Sequence, residues 1–297
     1  TALVGLALLD PPYDPTALPD RRPRTPAMKS AITISLVPEA RGGPFVFWGD
    51  LPTACRKAAA LGFDAVEIFP PSEAAVDSAE LRRLLDGEGL KLAAVGTGAG
   101  WVKHRLHLAS PDETQRRRAR DFVASIIDFA GPFGAPAIIG SMQGRSESDA
   151  DKPSARHRFG DQLEELAEYA EQYDVPLLYE PLNRYETDQF NRVGDAVHWL
   201  QERSLGNIRL LCDLFHMNIE EADVAAALRA AGRFVGHIHF VDSNRRPVGC
   251  GHLDVEGAIA ALREISYEGY LSAEAFPFPD SDAAARRTIE AFRSFVR

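Results

Sequence analysis

Short apolar runs recur along the chain, each followed by a stretch of helical spacing and then by another run. The runs are Ile32 to Val37, Asp64 to Phe69, Leu92 to Val95, Ala137 to Ile139, Val175 to Glu180, Ile208 to Asp213, Val235 to Phe240 and Tyr270 to Glu274. Their length and apolar continuity fit strands buried on both faces. Helical spacing covers Leu51 to Leu61 before the stop at Gly62, and resumes from about Ser78. It returns from Ser110 to about Phe133, then over Phe159 to Tyr173, Val193 to Arg203, Glu220 to Ala231, Val255 to Ile265, and from Ser281 onward. Ser110-Pro-Asp-Glu113 places a cap residue, a proline and an acid where a helix starts. Gly96 to Gly100 and Ser141 to Ser154 read as loops.

Eight strands alternating with eight helices of similar unit length predict an α/β fold, a single closed (β/α)₈ TIM barrel rather than an open doubly wound sheet. No Gly-x-Gly-x-x-Gly follows the first strand, so a dinucleotide-binding fold lacks its main signal.

The last four runs end in polar residues. Glu180, Asp213 and Glu274 close three of them and His239 lies at the end of the fourth. In a barrel these are the carboxyl ends of consecutive strands, and the four side chains meet at one mouth. A single such acid would serve as well as a helix cap or a salt-bridge partner, but burying several unpaired carboxylates together is costly. Four in phase predict a shared cation. Three carboxylates and one imidazole form an oxygen-rich set that suits manganese, magnesium or cobalt better than a structural zinc. One divalent ion is the expected cofactor, manganese by preference, with magnesium, cobalt or zinc as alternatives.

Composition narrows the partners. The 297 residues carry 33 Lys and Arg against 43 Asp and Glu, a net charge of −10, which argues against nucleic-acid binding and for a small polar substrate. Cys55, Cys212 and Cys250 are scattered and form no CxxC pair, so a cytoplasmic setting is the expectation. No apolar run approaches the roughly 18 residues of a membrane span, and the apolar Ala2 to Leu9 lacks the basic start of a signal peptide. Residues 1–27 hold six prolines and are expected to be a flexible or non-native extension, with residues 28–297 forming the catalytic domain. Assembly into a homo-oligomer is compatible with the sequence and not fixed by it.

Four motifs arrive in order along the second half of the chain. They are Glu180-Pro-Leu-Asn-Arg-Tyr-Glu186, Cys212-Asp-Leu-Phe-His-Met-Asn218, His237-Ile-His-Phe-Val-Asp-Ser-Asn-Arg245 with Gly249-Cys-Gly-His-Leu-Asp254, and Ala273-Glu-Ala-Phe276. Together they resemble the sugar phosphate isomerase/epimerase family, the xylose-isomerase-like barrels that include ketose 3-epimerases and hydroxypyruvate isomerase. The likeness covers about Ala31 to Arg297. It implies that Glu180, Asp213, His239 and Glu274 ligate the metal, that Glu180 and Glu274 also act as the acid/base pair, and that Glu186, His216 and Arg245 contact substrate. The implied activity is isomerisation or epimerisation of a keto sugar or sugar phosphate by proton transfer through an enediolate. Hydroxypyruvate isomerase and a keto-inositol dehydratase would use the same site.

An apurinic-site endonuclease of the same superfamily would need extra histidines at the ends of strands 3 and 4. None stands there. A binding protein without turnover is disfavoured by the intact pair of carboxylates.

Lesser candidates have plainer roles. His237 is expected to hydrogen-bond behind His239, Glu67 to make a hydrogen bond inside the barrel, and His252 and Arg246 to lie at the surface. Trp101, Lys103, His104 and Arg105 follow strand 3, where they could close over a ligand, and the arginines of Arg116 to Arg120 are expected to be solvated.

Overall fold

The computed structural model describes residues 28–296. The expectation for residues 1–27 lies outside the described residues. Eight parallel strands close into a barrel: β1 Lys29–Ser35, β2 Ala65–Phe69, β3 Lys91–Gly96, β4 Ala137–Ile139, β5 Leu177–Tyr179, β6 Ile208–Asp213, β7 Val235–His239 and β8 Tyr270–Ala273. The ring closes where Lys29 to Ile32 of β1 pair with Tyr270 to Ala273 of β8. Above that point a two-residue strand, Phe47–Trp48, takes over as the neighbour of Ile34 and Ser35. Thr33 bridges the junction, its Oγ1 donating to the Ala273 carbonyl at 2.8 Å and accepting from the Val46 amide at 3.2 Å.

Strand periodicity sorts the side chains into two compartments. Ile32, Ile34, Val66, Ile68, Ile139, Tyr179, Leu210, Cys212, Ile238 and Leu271 join the large core between barrel and helices. The alternate positions are small or apolar low in the barrel, with Ala31, Ala65 and Ala93 in one cluster and Ala94, Ile138, Leu178 and Leu211 in another; the consecutive Ala93 and Ala94 both take part because the pairing of β3 with β2 skips Ala93. Two residues beyond Leu178 and Leu211 stand Glu180 and Asp213, so the same parity that fills the barrel floor carries these acids to its mouth.

The outer layer consists of α1 Leu51–Leu61, α2 Ser78–Glu88, α3 Ala99–His104, α4 Glu113–Ala130, α5 Lys152–Ala170, α6 Val193–Glu202, α7 Leu214–Glu220, α8 Val224–Ala231, α9 Val255–Glu264 and α10 Ser281–Val296. Helix α1 ends as its sequence predicts, with Gly62 at φ 84°.

Four expectations need correction. Helix α4 is capped by Asp112, which accepts from the Thr114 amide at 2.8 Å, while Ser110 accepts from the Asp112 amide and stands outside the helix. The glycine-rich loop after β3 contains α3. Helix α5 starts at Lys152, because Pro153 fits a first helical turn and ends the loop earlier than its polar composition suggests. The helix expected over Glu220 to Ala231 starts later, at Val224, since Asp223 accepts from the Ala226 amide at 2.9 Å and caps α8, while Glu220 ends the separate helix α7. Among the described residues, no helix is long and apolar enough to cross a membrane.

Candidate metal centre and active site

His239 ends β7 and is the hub of the barrel mouth. Its Nδ1 lies 3.5 Å from Glu180 Oε1, 3.4 Å from Asp213 Oδ2 and 3.6 Å from Glu274 Oε2. These separations are too long for hydrogen bonds, yet they are those of atoms sharing a small cation at about 2.1 Å. The four ligand atoms all lie within 4.8 Å of one another. Three of them, Glu180 Oε1, Asp213 Oδ2 and His239 Nδ1, are buried without any hydrogen-bond partner. Buried polar atoms are rarely left so, and three that converge on one point suit a shared cation.

The four strand ends that share a phase in the sequence are therefore brought together. Backbone geometry makes room for them. A Cβ on Gly140, which follows β4, would stand 2.4 Å from Glu180 Oε2, so this carboxylate can occupy its place only beside a glycine. Asp213 uses its two oxygens differently. Oδ1 accepts from the Phe215 amide at 2.7 Å and caps α7, leaving Oδ2 to face the cluster.

Behind the cluster Glu67 of β2 holds the other edge of His239. Glu67 Oε1 is 3.2 Å from His239 Nε2, and its Oε2 is 2.9 Å from His237 Nε2. An ionised carboxylate only accepts, so both imidazoles present N–H at Nε2. That leaves the Nδ1 lone pair of a neutral His239 directed at the three acids. His237 and Glu67 thus have the supporting places expected of them, although Glu67 also reaches the cavity wall.

Electrostatics in the ion-free protein follow from this crowding. Burial pushes Glu180 up, His239 draws it part of the way back, and the neighbouring Glu274 and Asp213 charges leave it at about 7. Glu274 is raised, again chiefly by burial. Burial opposes ionisation of Asp213 too, but His216, His239 and Arg245 hold it well below the usual carboxylate range. For His239 burial is outweighed by Glu67, Glu274 and the other acids, so its imidazole stays protonated well above the ordinary value. A proton on His239 thus partly neutralises the acids in the ion-free form, and a cation would displace it.

The three substrate candidates form one chain of contacts, Glu186 and Arg245 on the cavity wall and His216 buried behind them. Asn183, in the turn after β5, orders them: its Oδ1 accepts from the Tyr185 amide, and its Nδ2 donates to Glu186 Oε1 at 3.0 Å and meets His216 Nδ1 at 2.7 Å. That network makes Nδ1 of His216 the acceptor and turns its Nε2–H toward Asp213 Oδ2 and Glu180 Oε1, 3.6 and 3.8 Å away. Burial keeps His216 below the ordinary histidine value despite Asp213. Arg245 donates to Glu274 Oε2 at 2.7 Å and lies 3.5 Å from Glu186 Oε1, with its guanidinium 4.9 Å from the centre of the Phe215 ring. Its φ of 58° swings the side chain inward while Asp242 pins the loop, accepting from the Ser243, Gly249 and Leu253 amides.

Glu180, Glu186, His239, Arg245 and Glu274 line a cavity of about 350 Å³, whereas Asp213, His216 and Asn183 are buried behind its wall. Trp101 lines it too, whereas Lys103, His104 and Arg105 are exposed outside it. His252 and Arg246 are exposed, as are Arg117 and Arg118. Sequence reasoning missed Asn183, whose position in the Glu-Pro-Leu-Asn motif was the available signal, and it missed the wall built by residues 39–45. There Phe45 stacks on Phe69 at 4.7 Å, a long-range pairing with no local sequence mark.

The sequence model described as "Xylose isomerase-like TIM barrel" matches residues 55–295. The chain belongs to the xylose isomerase-like TIM barrel family. Among its relatives in this family, D-psicose 3-epimerase of Enterocloster bolteae is 33% identical over 269 residues, covering 85% of this chain and 86% of the relative. The 3-dehydro-D-guloside 4-epimerase of Escherichia coli K12 is 33% identical over 221 residues, covering 71% and 81%. The structure of D-psicose 3-epimerase from Clostridium cellulolyticum H10 with D-tagatose has the same fold, at a TM-score of 0.75 and 24% identity, covering 91% of this chain and all of that one. With this family and these relatives, the chain is an isomerase-type enzyme.

Proposed function

We propose that the protein is a divalent-metal-dependent epimerase of keto sugars, with Glu180, Asp213, His239 and Glu274 as ligands, manganese as the preferred ion, and Glu180 and Glu274 as the proton-transfer pair. The observation that carries this reading is the convergence of three buried, unpartnered ligand atoms with Glu274 at the mouth of the barrel. Relatives named for epimerisation at carbons beside a ketone support the reaction class.

A bound divalent cation would polarise the substrate's carbonyl and hydroxyl oxygens and stabilise the negative charge that develops there. The chain's own groups do the rest. Glu180, ionised, takes the proton from the carbon beside the carbonyl, and the C–H electron pair shifts through carbon to the carbonyl oxygen, giving an enediolate. Glu274, protonated, delivers its proton to the opposite face of the same carbon as the carbonyl reforms. Reversal exchanges the two roles. Burial raises both carboxyls in the ion-free protein, Glu180 to about 7, which favours the protonated form that each must take in turn. Arg245 and His216 supply donors for substrate hydroxyls, with Glu186 as acceptor; Asn183 fixes the orientation of Glu186 and His216.

The test is solvent deuterium. Turnover of a ketose in D2O should place label on the carbon beside the carbonyl, and Glu180→Gln and Glu274→Gln should each abolish epimerisation, with metal content measured beside the rates. Full turnover by both Gln variants, or epimerised product free of label, would overturn the two-carboxylate reading.

A further inference from the structure

A second cleft, of about 530 Å³, opens beside the metal cavity. Its walls carry Trp48, Phe276 and Phe278 together with Arg41 and Arg246, and no carboxylate. The two cavities are adjacent, with Arg41 and Gly43 lining both. Phe276 and Phe278 are 38% and 42% exposed, two of the few large apolar side chains that reach solvent among the described residues. Arg246 lies 3.9 Å over the Phe278 ring and enlarges its flat surface. Among the described residues, the Arg41 guanidinium has no hydrogen-bond or ion-pair partner, in contrast to Arg245, which is engaged with Glu274.

The cleft is also tied to the catalytic groups. Phe276 stands two residues beyond Glu274, and its amide donates to the Arg245 carbonyl at 2.8 Å. Arg245 turns into the metal cavity while Arg246, its neighbour, turns onto the aromatic wall. One loop thus serves both spaces.

Exposed aromatic faces in a concavity suit a ring, either a sugar presenting its C–H face or an aryl group, and free guanidinium donors suit oxygens on that ring. We propose that this cleft is a subsite for a second ring, so that the substrate is a keto glycoside whose keto sugar occupies the metal cavity and whose aglycone lies across Trp48, Phe276 and Phe278. This rests on the reading of the inner cavity as a keto-sugar site.

Matched probes test it: methyl and p-nitrophenyl 3-dehydro-β-D-glucoside, which share the sugar and differ only in the remote group. In the manganese-loaded enzyme the p-nitrophenyl compound should have a kcat/KM higher by about tenfold, the scale of a stacked ring contact. Trp48→Ala and Phe278→Ala should collapse that ratio toward one, and Arg41→Ala should lower it.

Equal rates on the two probes in the wild type, or a ratio that the variants leave intact, would overturn the subsite. If neither glycoside exchanges solvent deuterium while a free ketose does, the subsite falls and the reaction stands. If no keto sugar exchanges at all, the reaction falls, and calorimetric binding of the p-nitrophenyl compound, lost in Phe278→Ala, decides the subsite alone. A concentration-dependent dimer that dissociates in Trp48→Ala and Phe278→Ala would make the cleft an interface and overturn the proposal.

Discussion

Glu67 reaches across the barrel from β2 to place Oε1 3.2 Å from His239 Nε2, on the edge of the ring opposite the acid cluster. A glutamine at position 67 must present an amide N–H to one of the two imidazoles, which forces that ring to change tautomer. Glu67→Gln should therefore weaken manganese binding by about 10–100-fold, the usual cost of losing such a partner. Calorimetry on the otherwise folded variant measures it, and an unaltered affinity would refute the role.

Gly140 and Glu180 form a second close relationship. Gly140→Ala sets a Cβ within 2.4 Å of Glu180 Oε2, so the carboxylate must leave its place. Metal affinity and turnover should both fall by at least about tenfold, on the scale set for a displaced ligand group. Thermal unfolding of the ion-free protein should change much less, which separates displacement of a ligand from damage to the barrel.

The ion-free protein should grow less stable as pH rises from about 4.5 to beyond 7. Glu180 has a folded value of about 7 against an ordinary 4.5, so the stability it contributes is complete below 4.5 and lost as pH rises through 7. The loss is at most on the order of 3 kcal/mol. Asp213, shifted the other way, loses its contribution only in acid. Manganese should consequently raise the unfolding temperature more at pH 8 than at pH 5.5, and Glu180→Gln should flatten the ion-free profile between 4.5 and 7. Equal metal stabilisation at both pH values would contradict this electrostatic account.

Arg245→Ala removes the 2.7 Å contact to Glu274 and the donor at the rim, but no ligand atom. Turnover should fall by about two orders of magnitude, on the scale of a lost charge-stabilising donor, while metal content stays stoichiometric. An Arg245→Ala enzyme with normal kcat/KM would reduce this residue to a loop anchor.

Much of the fold and the convergence of Glu180, Asp213, His239 and Glu274 could be read from the sequence because both depend on parity. Leu178 and Glu180, or Leu211 and Asp213, stand two apart on a strand, and a closed parallel barrel turns that spacing into a shared direction. The 27 residues before Met28 lie outside the described structure and leave that expectation untested. What the sequence hid is of another kind. The approach of Glu67 to His239 joins residues 172 apart, and the contact between Asn183 and His216 spans 33. Such pairings depend on the barrel's stagger and loop paths, which leave no local pattern. The start of α4 was misplaced for a different reason: Ser110 and Asp112 can both cap, and only the backbone path chooses Asp112.

Asp213 binds a helix with one oxygen and faces the acid cluster with the other, and His216 rides on the first turn of that helix. The Asp213 cap and His216 are consequently one mechanical part, set by the start of α7. Moving His216 relative to Asp213 would require re-angling the helix, which the cap resists. Substitution at His216 alone can thus delete its contact but not redirect it. Variation of specificity in this quarter of the mouth should proceed by exchanging the whole Asp-Leu-Phe-His turn, whereas the aromatic cleft lined by Trp48, Phe276 and Phe278 can change one residue at a time.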